Sequence, residues 1–130
     1  METKRQNISS GAAWELIVGY SRAVRVGNTV EVTGTVGIKD GKVVGENDAY
    51  AQTKRSLEII AETLQKAGAS LADVVRTRIF VTDISRWEEY GRAHQEVFGT
   101  IRPCTTMVEV KALISPEYLV EVEATAIIAG

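Results

Sequence analysis

The sequence predicts an α+β protein, a sheet with helices packed on one face. Three observations point there. Two segments carry helical periodicity, several others alternate apolar and polar residues with a period of two, and Gly-Asn and Asp-Gly pairs sit between alternating runs.

Taken in order, the first clear signal is Arg22 to Thr35. Val24 and Val26 alternate with polar neighbours, Gly27-Asn28 supplies a two-residue turn, and Val30 and Val32 resume the pattern. That is a β-hairpin with a primed turn. Asp40-Gly41, between Ile38 and Val43, marks a second small hairpin or a loop. Asn47 or Asp48 caps a long helix running to about Ala67, with Tyr50, Lys54, Leu57, Ala61 and Leu64 near helical spacing and Ile60 beside them. Gly68 closes it. Val74 to Thr82 is β-branched and reads as a strand. Ser85-Arg86-Trp87-Glu88 reads as a capping box opening a second helix, with Trp87, Tyr90, His94, Val97 and Phe98 inward. Pro103 ends the loop after it. Thr105 to Leu113 and Leu119 to Ile128 alternate strictly and read as a closing hairpin, with Ser115-Pro116-Glu117 in its turn.

The alternation sorts the strands into two faces. Val30/Val32, Val75/Thr77/Ile79, Val108/Val110 and Val120/Val122/Ala124 suit packing beneath helices. The alternates, Glu31/Thr33, Arg76/Arg78, Glu109/Lys111 and Glu121/Glu123/Thr125, carry both charges, with Phe80 and Met107 among them. Such a face is either solvated or closed by other subunits with Arg and Glu paired. The pattern alone leaves both open.

At 130 residues, 45% hydrophobic and 25% charged, the chain reads as one globular domain over residues 1–130. A net charge of -2 gives no basic face for nucleic acid. No apolar run approaches the roughly 20 residues that span a bilayer, so no membrane partner is expected. Met1 to Ser10 is polar and lacks the apolar region of a secretory signal. A single cysteine, Cys104, fits a reducing compartment, and a cytoplasmic protein is expected. One His and one Cys are too few for a zinc site, no glycine-rich phosphate loop is present, and no cofactor is expected.

Several segments together resemble one family. Gly19-Tyr20-Ser21-Arg22-Ala23, Val26-Gly27-Asn28 and Val32-Thr33-Gly34 are similar to its opening strands. Arg76-Thr77-Arg78-Ile79-Phe80-Val81-Thr82-Asp83 is similar to its central strand. Pro103, Val108-Glu109-Val110 and Val120-Glu121-Val122-Glu123-Ala124 are similar to its C-terminal pattern. From about Ile8 to Ile128 the chain resembles the RidA/YjgF family, also called endoribonuclease L-PSP. The resemblance implies a chorismate-mutase-like fold, a six-stranded mostly antiparallel sheet with two helices on one face, assembled as a homotrimer with small-molecule clefts between subunits. It also implies hydrolysis of reactive enamines or imines, such as 2-iminobutanoate, to keto acids and ammonia. Other members have been described as ribonucleases, translation inhibitors or chaperones.

The family's deaminases use a tyrosine, a small hydroxyl residue before a glycine, an arginine and a glutamate. Tyr20, Thr33, Gly34 and Glu121 match four of these positions, with Glu121 and Tyr20 as catalytic candidates and Thr33 and Gly34 as substrate-binding ones. Imine hydrolysis needs a positioned water, a proton carrier and a cation for the substrate carboxylate. The cation is missing. Where the motif reads Pro-Ala-Arg, this chain has Pro103-Cys104-Thr105, and Gly91 replaces an asparagine of the second helix. Threonine cannot reproduce a bidentate guanidinium clamp. Arg102, three residues before Thr105, has the opposite strand parity; it, Cys104 and Thr105 complete the substrate-binding candidates.

Each candidate has a plainer reading. Glu121 would pair with Arg78, Tyr20 would be a hydrogen-bonded core tyrosine, and His94 reads as packed on its helix. Cys104 reads as a small hydrophobe. Three functions stay open: a deaminase-like hydrolase acting on something other than a simple 2-imino acid, a small-molecule binding protein without turnover, and a ribonuclease. The charge balance and the single histidine argue against the last.

Overall fold

A computed structural model of the protein describes residues 4–129; of the polar opening segment, Met1 to Thr3 lie outside the described residues. In chain order the elements are β1 (Arg5–Ile8), β2 (Ala23–Val26), β3 (Thr29–Thr35), β4 (Ile38–Lys39), β5 (Lys42–Val43), α1 (Ala49–Lys66), β6 (Val74–Val81), α2 (Trp87–Phe98), β7 (Cys104–Glu109) and β8 (Val120–Ile127). Six strands form one sheet in the order β1-β2-β3-β8-β6-β7, and β4 and β5 form a separate ribbon. All pairings in the large sheet are antiparallel except β6 with β7.

Turn chemistry places the two hairpins where expected. At the β2–β3 turn Gly27 takes φ 60°, and at the β4–β5 turn Asp40 and Gly41 both take positive φ, 53° and 75°. The closing hairpin is not formed. Chain segment 110–119 instead carries the backbone across, so that β8 lies between β3 and β6 while β7 becomes a parallel edge strand beside β6. The residues account for this: Val120, Val122, Ala124 and Ala126 of β8 are all fully buried, whereas most of β7 is exposed. A strand buried at every second residue belongs in the middle of a sheet, and a polar threonine-rich strand is tolerated at its edge.

Two face assignments change with it. A bulge between Val74 and Arg76 makes Val75 the extra residue, so Val74 takes the core place and Val75 is exposed. On β7, Met107 sits opposite Ile79 and packs against the core, while Val108 sits opposite Phe80 on the open face.

The helices cover the valine face. Asp48 caps α1 by accepting from the Ala51 N–H at 2.9 Å. Its buried stripe is Ala49, Gln52, Thr53, Ser56, Leu57, Ile60, Thr63 and Leu64, rather than one through Tyr50, Lys54 and Ala61. Polar residues can lie inward here because their groups are satisfied locally. Thr53, Ser56 and Thr63 donate back to the carbonyls of Ala49, Gln52 and Ile59. Gln52 spends its whole amide on the backbone: Nε2 donates to the Gly45 and Glu117 carbonyls, and Oε1 accepts from Leu119 N. Tyr50 and Lys54 instead meet Glu96 of α2 at the surface.

The entry to α2 also differs from the capping box. Asp83, not Ser85, provides the cap, accepting from Ser85 N at 3.0 Å, and a 3₁₀ turn (Ile84–Arg86) precedes the helix. That extra turn sets the helix phase so that Trp87 faces outward, while Tyr90 and Phe98 are buried and Tyr90 donates to the Asp83 carbonyl.

Candidate functional site

The candidate residues fall into two groups on different parts of the sheet. The first forms around β3. Pairing of β3 with β8 breaks between Val32 and Thr35, leaving Thr33 and Gly34 in a bulge. The bulge is bolted by Arg22, a residue the sequence reading used only as part of a strand motif. Its Nη2 donates to the Thr33 carbonyl at 3.0 Å, the Gly34 carbonyl at 2.6 Å and Thr35 Oγ1 at 3.0 Å. Its Nε is buried without a protein partner among the described residues.

Gly34 and Glu121 meet here. A Cβ on Gly34 would collide with the Glu121 carboxylate, so only glycine lets the carboxylate lie against the bulge. Burial pushes the Glu121 carboxyl above the usual carboxylate range; the Arg22 guanidinium works against that shift and the Glu123 carboxylate adds to it. Glu121 does not pair with Arg78. It stands opposite Phe80, and Arg78 pairs with Glu123 at 3.3 Å.

Tyr20 follows a short π-turn helix, Glu15–Gly19, and its N–H donates to the Glu15 carbonyl at 3.0 Å. Glu15 itself is anchored by Ser9 Oγ and by Ser10. Burial opposes its charge, but the hydrogen bonds from Ser10 and Ser9 outweigh that and hold its carboxyl below the ordinary range. Tyr20 is 37% exposed and so is not a core tyrosine. With Thr33, Arg78 and Glu123 it lines an open hollow of about 800 Å³ on the uncovered face of the sheet.

The second group lies at the other edge, where α2 ends and β7 begins. Thr105 sits opposite Thr77 on the helix-covered side, and Thr77 Oγ1 lies 2.7 Å from Thr105 Oγ1 and 2.8 Å from His94 Nε2. His94 is half-buried and its ring lies 4.7 Å from that of Phe98. Burial holds its pKa below the usual value. Arg102 is not part of β7, so strand parity does not govern it. It takes φ 55° in the turn before Pro103 and lines the same hollow of about 410 Å³ as Thr105, His94 and Gly91. Cys104 is exposed and opens β7 opposite Arg76 on the open face.

The two groups do not touch within one chain. Three strand steps separate β3 from β7, roughly 14 Å at ordinary strand spacing, and Thr105 faces the other side of the sheet. Among the described residues no group of three or more His, Cys, Asp or Glu is placed to hold a metal ion. Among the described residues no helix is long and apolar enough to cross a membrane.

Fold and candidate residues together define a class: small α+β proteins that display polar groups at separate parts of one sheet. Residues 11–128 match the family model described as endoribonuclease L-PSP, and the chain belongs to that family, the RidA/YjgF proteins. A crystal structure of Rv2704 from Mycobacterium tuberculosis, described as a member of the YjgF/YER057c/UK114 family, is 55% identical, with a TM-score of 0.88 over 96% of this chain and 100% of that one. The protein SCO2049 of Streptomyces coelicolor is 36% identical over 121 residues, 93% of this chain and 90% of its own. A 3-aminoacrylate deaminase, RutC, of Acinetobacter baylyi is 34% identical over 108 residues, 82% of this chain and 85% of its own.

Proposed function

We propose that the chain works as a homotrimer whose clefts each join the β3 group of one copy to the β7 group of the next. These clefts hydrolyse a reactive enamine, imine or related carbonyl metabolite that is not a simple 2-imino acid. The observation that carries this reading is Glu121: a half-buried carboxyl raised in pKa, set against the Gly34 bulge and free of an ion pair with the arginine facing β8. A carboxyl of that kind can take a proton from water and return it to a leaving nitrogen. Water oxygen adds to the C=N carbon as its first proton passes to nitrogen; the second then follows as the C–N bond breaks, leaving a carbonyl and ammonia. The name carried by the RutC relative, 3-aminoacrylate deaminase, supports the same chemical class.

Thr105 makes the substrate unusual. A charge-assisted clamp on a substrate carboxylate is worth about 1.5–3 kcal/mol, roughly one to two decades in rate constant. Wild-type protein should therefore release little ammonia from 2-iminobutanoate or 2-iminopropanoate generated in situ. Thr105→Arg should recover part of that activity, and Glu121→Ala should abolish it. Vigorous wild-type turnover of both imines would refute the proposed divergence. Saturable ligand binding with no ammonia from any enamine tested would favour a binding protein instead.

A further inference from the structure

Gly34 is touched from two sides. Its carbonyl accepts from Arg22 Nη2, and the Glu121 carboxylate fills the space that a side chain at this residue would need. Nη2 shares its two N–H bonds among three oxygens of the bulge, those of Thr33, Gly34 and Thr35. The Thr35 hydroxyl, itself fully buried, in turn donates to the Thr33 carbonyl at 2.8 Å. A planar guanidinium bonded in this way has little freedom to swing. It also stays charged: burial lowers the Arg22 pKa, but arginine keeps its proton in proteins.

Arg22 makes no ion pair with Glu121 among the described residues. A carboxylate clasped by a guanidinium has its lone pairs occupied and is a poor acceptor for a proton from water. A cation on the far side of Gly34 favours the charged carboxylate and leaves both its oxygens open. No other neighbour supplies that charge. Phe80 of β6 stands opposite Glu121, and Arg78 is engaged by Glu123, itself an anion that works against ionisation. Tyr118, just before β8, is uncharged, and α1 covers the other face of the strand. Around Arg22 itself, Tyr20 is uncharged and Glu15 is held by Ser9 and Ser10.

We infer that Arg22 is the positioning residue of this part of the site: through Gly34 it fixes the bulge against Glu121 and supplies a counter-charge for the carboxylate while leaving its oxygens to water. That role rests on the proposed hydrolysis at Glu121, to which it adds the group that keeps the carboxyl charged. Arg22 touches no reacting atom; it acts through Gly34 and Glu121.

Two groups can be followed by NMR in isotope-labelled protein: the Glu121 carboxyl carbon and the buried Nε–H of Arg22, which has no protein partner among the described residues. In wild type both should titrate with one midpoint, and the Arg22 step should vanish in Glu121→Gln. Arg22→Gln should move the Glu121 midpoint to higher pH, because the favourable charge is gone. Arg22→Lys restores a charge without the fork and should bring the midpoint part of the way back. An Arg22 resonance blind to Glu121, or a Glu121 midpoint unmoved in Arg22→Gln, would overturn the inference. Should Arg22→Gln fail to fold, the wild-type and Glu121→Gln titrations decide alone. For any enamine that is turned over, the acidic limb of the kcat profile should move up with the midpoint in Arg22→Gln. A limb that stayed in place while the midpoint moved would take Glu121 out of the catalysis and leave the hold of Arg22 on its charge standing.

Discussion

At Glu121, opposing influences act on one carboxyl. Burial raises its pKa, Arg22 lowers it and Glu123 raises it again, with a net upward shift from 4.5. A carboxyl whose pKa is higher in the folded state contributes stability below its unfolded pKa, and that contribution is lost as pH rises through the folded value. Glu121→Gln should therefore gain stability relative to wild type as pH climbs above 4.5. In denaturant melts the gain should be larger at about pH 8 than at about pH 4; an equal gain at both would contradict the assignment. In the sequence, a period of two and a family motif both mark Thr33 and Glu121, while Gly34 is marked by the motif alone. The role of Arg22 was not legible there, since its partners are carbonyls freed by a break in register that no side-chain pattern announces. Arg102 was misplaced because parity was counted along a strand that begins only at Cys104.

Among the elements, α1 shows how burial can hide from hydropathy. Its inward stripe includes Gln52, Thr53, Ser56 and Thr63, which a scan for apolar spacing passes over in favour of Tyr50 and Ala61. Backbone satisfaction, invisible at that level, decides the face. Gln52→Leu tests this. It would fill similar space but leave Leu119 N–H and two carbonyls without their partner, at a cost of about 1–3 kcal/mol. A lower urea midpoint with an unchanged slope is the expected reading, and wild-type stability would show that water repairs the loss. The β7–β8 connection failed for a related reason. Local turn chemistry at Ser115-Pro116 marks a bend, but whether the next strand pairs with its predecessor depends on edges formed far earlier in the chain.

For the whole molecule, the uncovered side of the sheet is the surface open to partners. It carries the Arg78–Glu123 pair, Phe80, and exposed Val26 and Val108, and beside it Leu16, Ile17 and Val18 stand 92%, 71% and 66% exposed. A contiguous apolar run of that kind marks a contact surface. Light scattering at low micromolar concentration should give three times the 14.2 kDa chain mass, and a monomer mass would defeat the trimer. In the proposed trimer, where this face would be covered, Arg78→Leu should destabilise the assembly by about 3–5 kcal/mol, because Glu123 would be buried without its partner.

The separation of Gly34 and Glu121 from Arg102 and Thr105 has a genetic consequence. In the proposed closed ring, each cleft takes one half from each of two neighbours, so a chain damaged in one half spoils one cleft and still serves a second. Two chains damaged in opposite halves can then repair each other. Random mixing leaves about one cleft in four with both halves intact. Loss of function in such a protein would be a property of the pool of chains in the cell, not of any one of them.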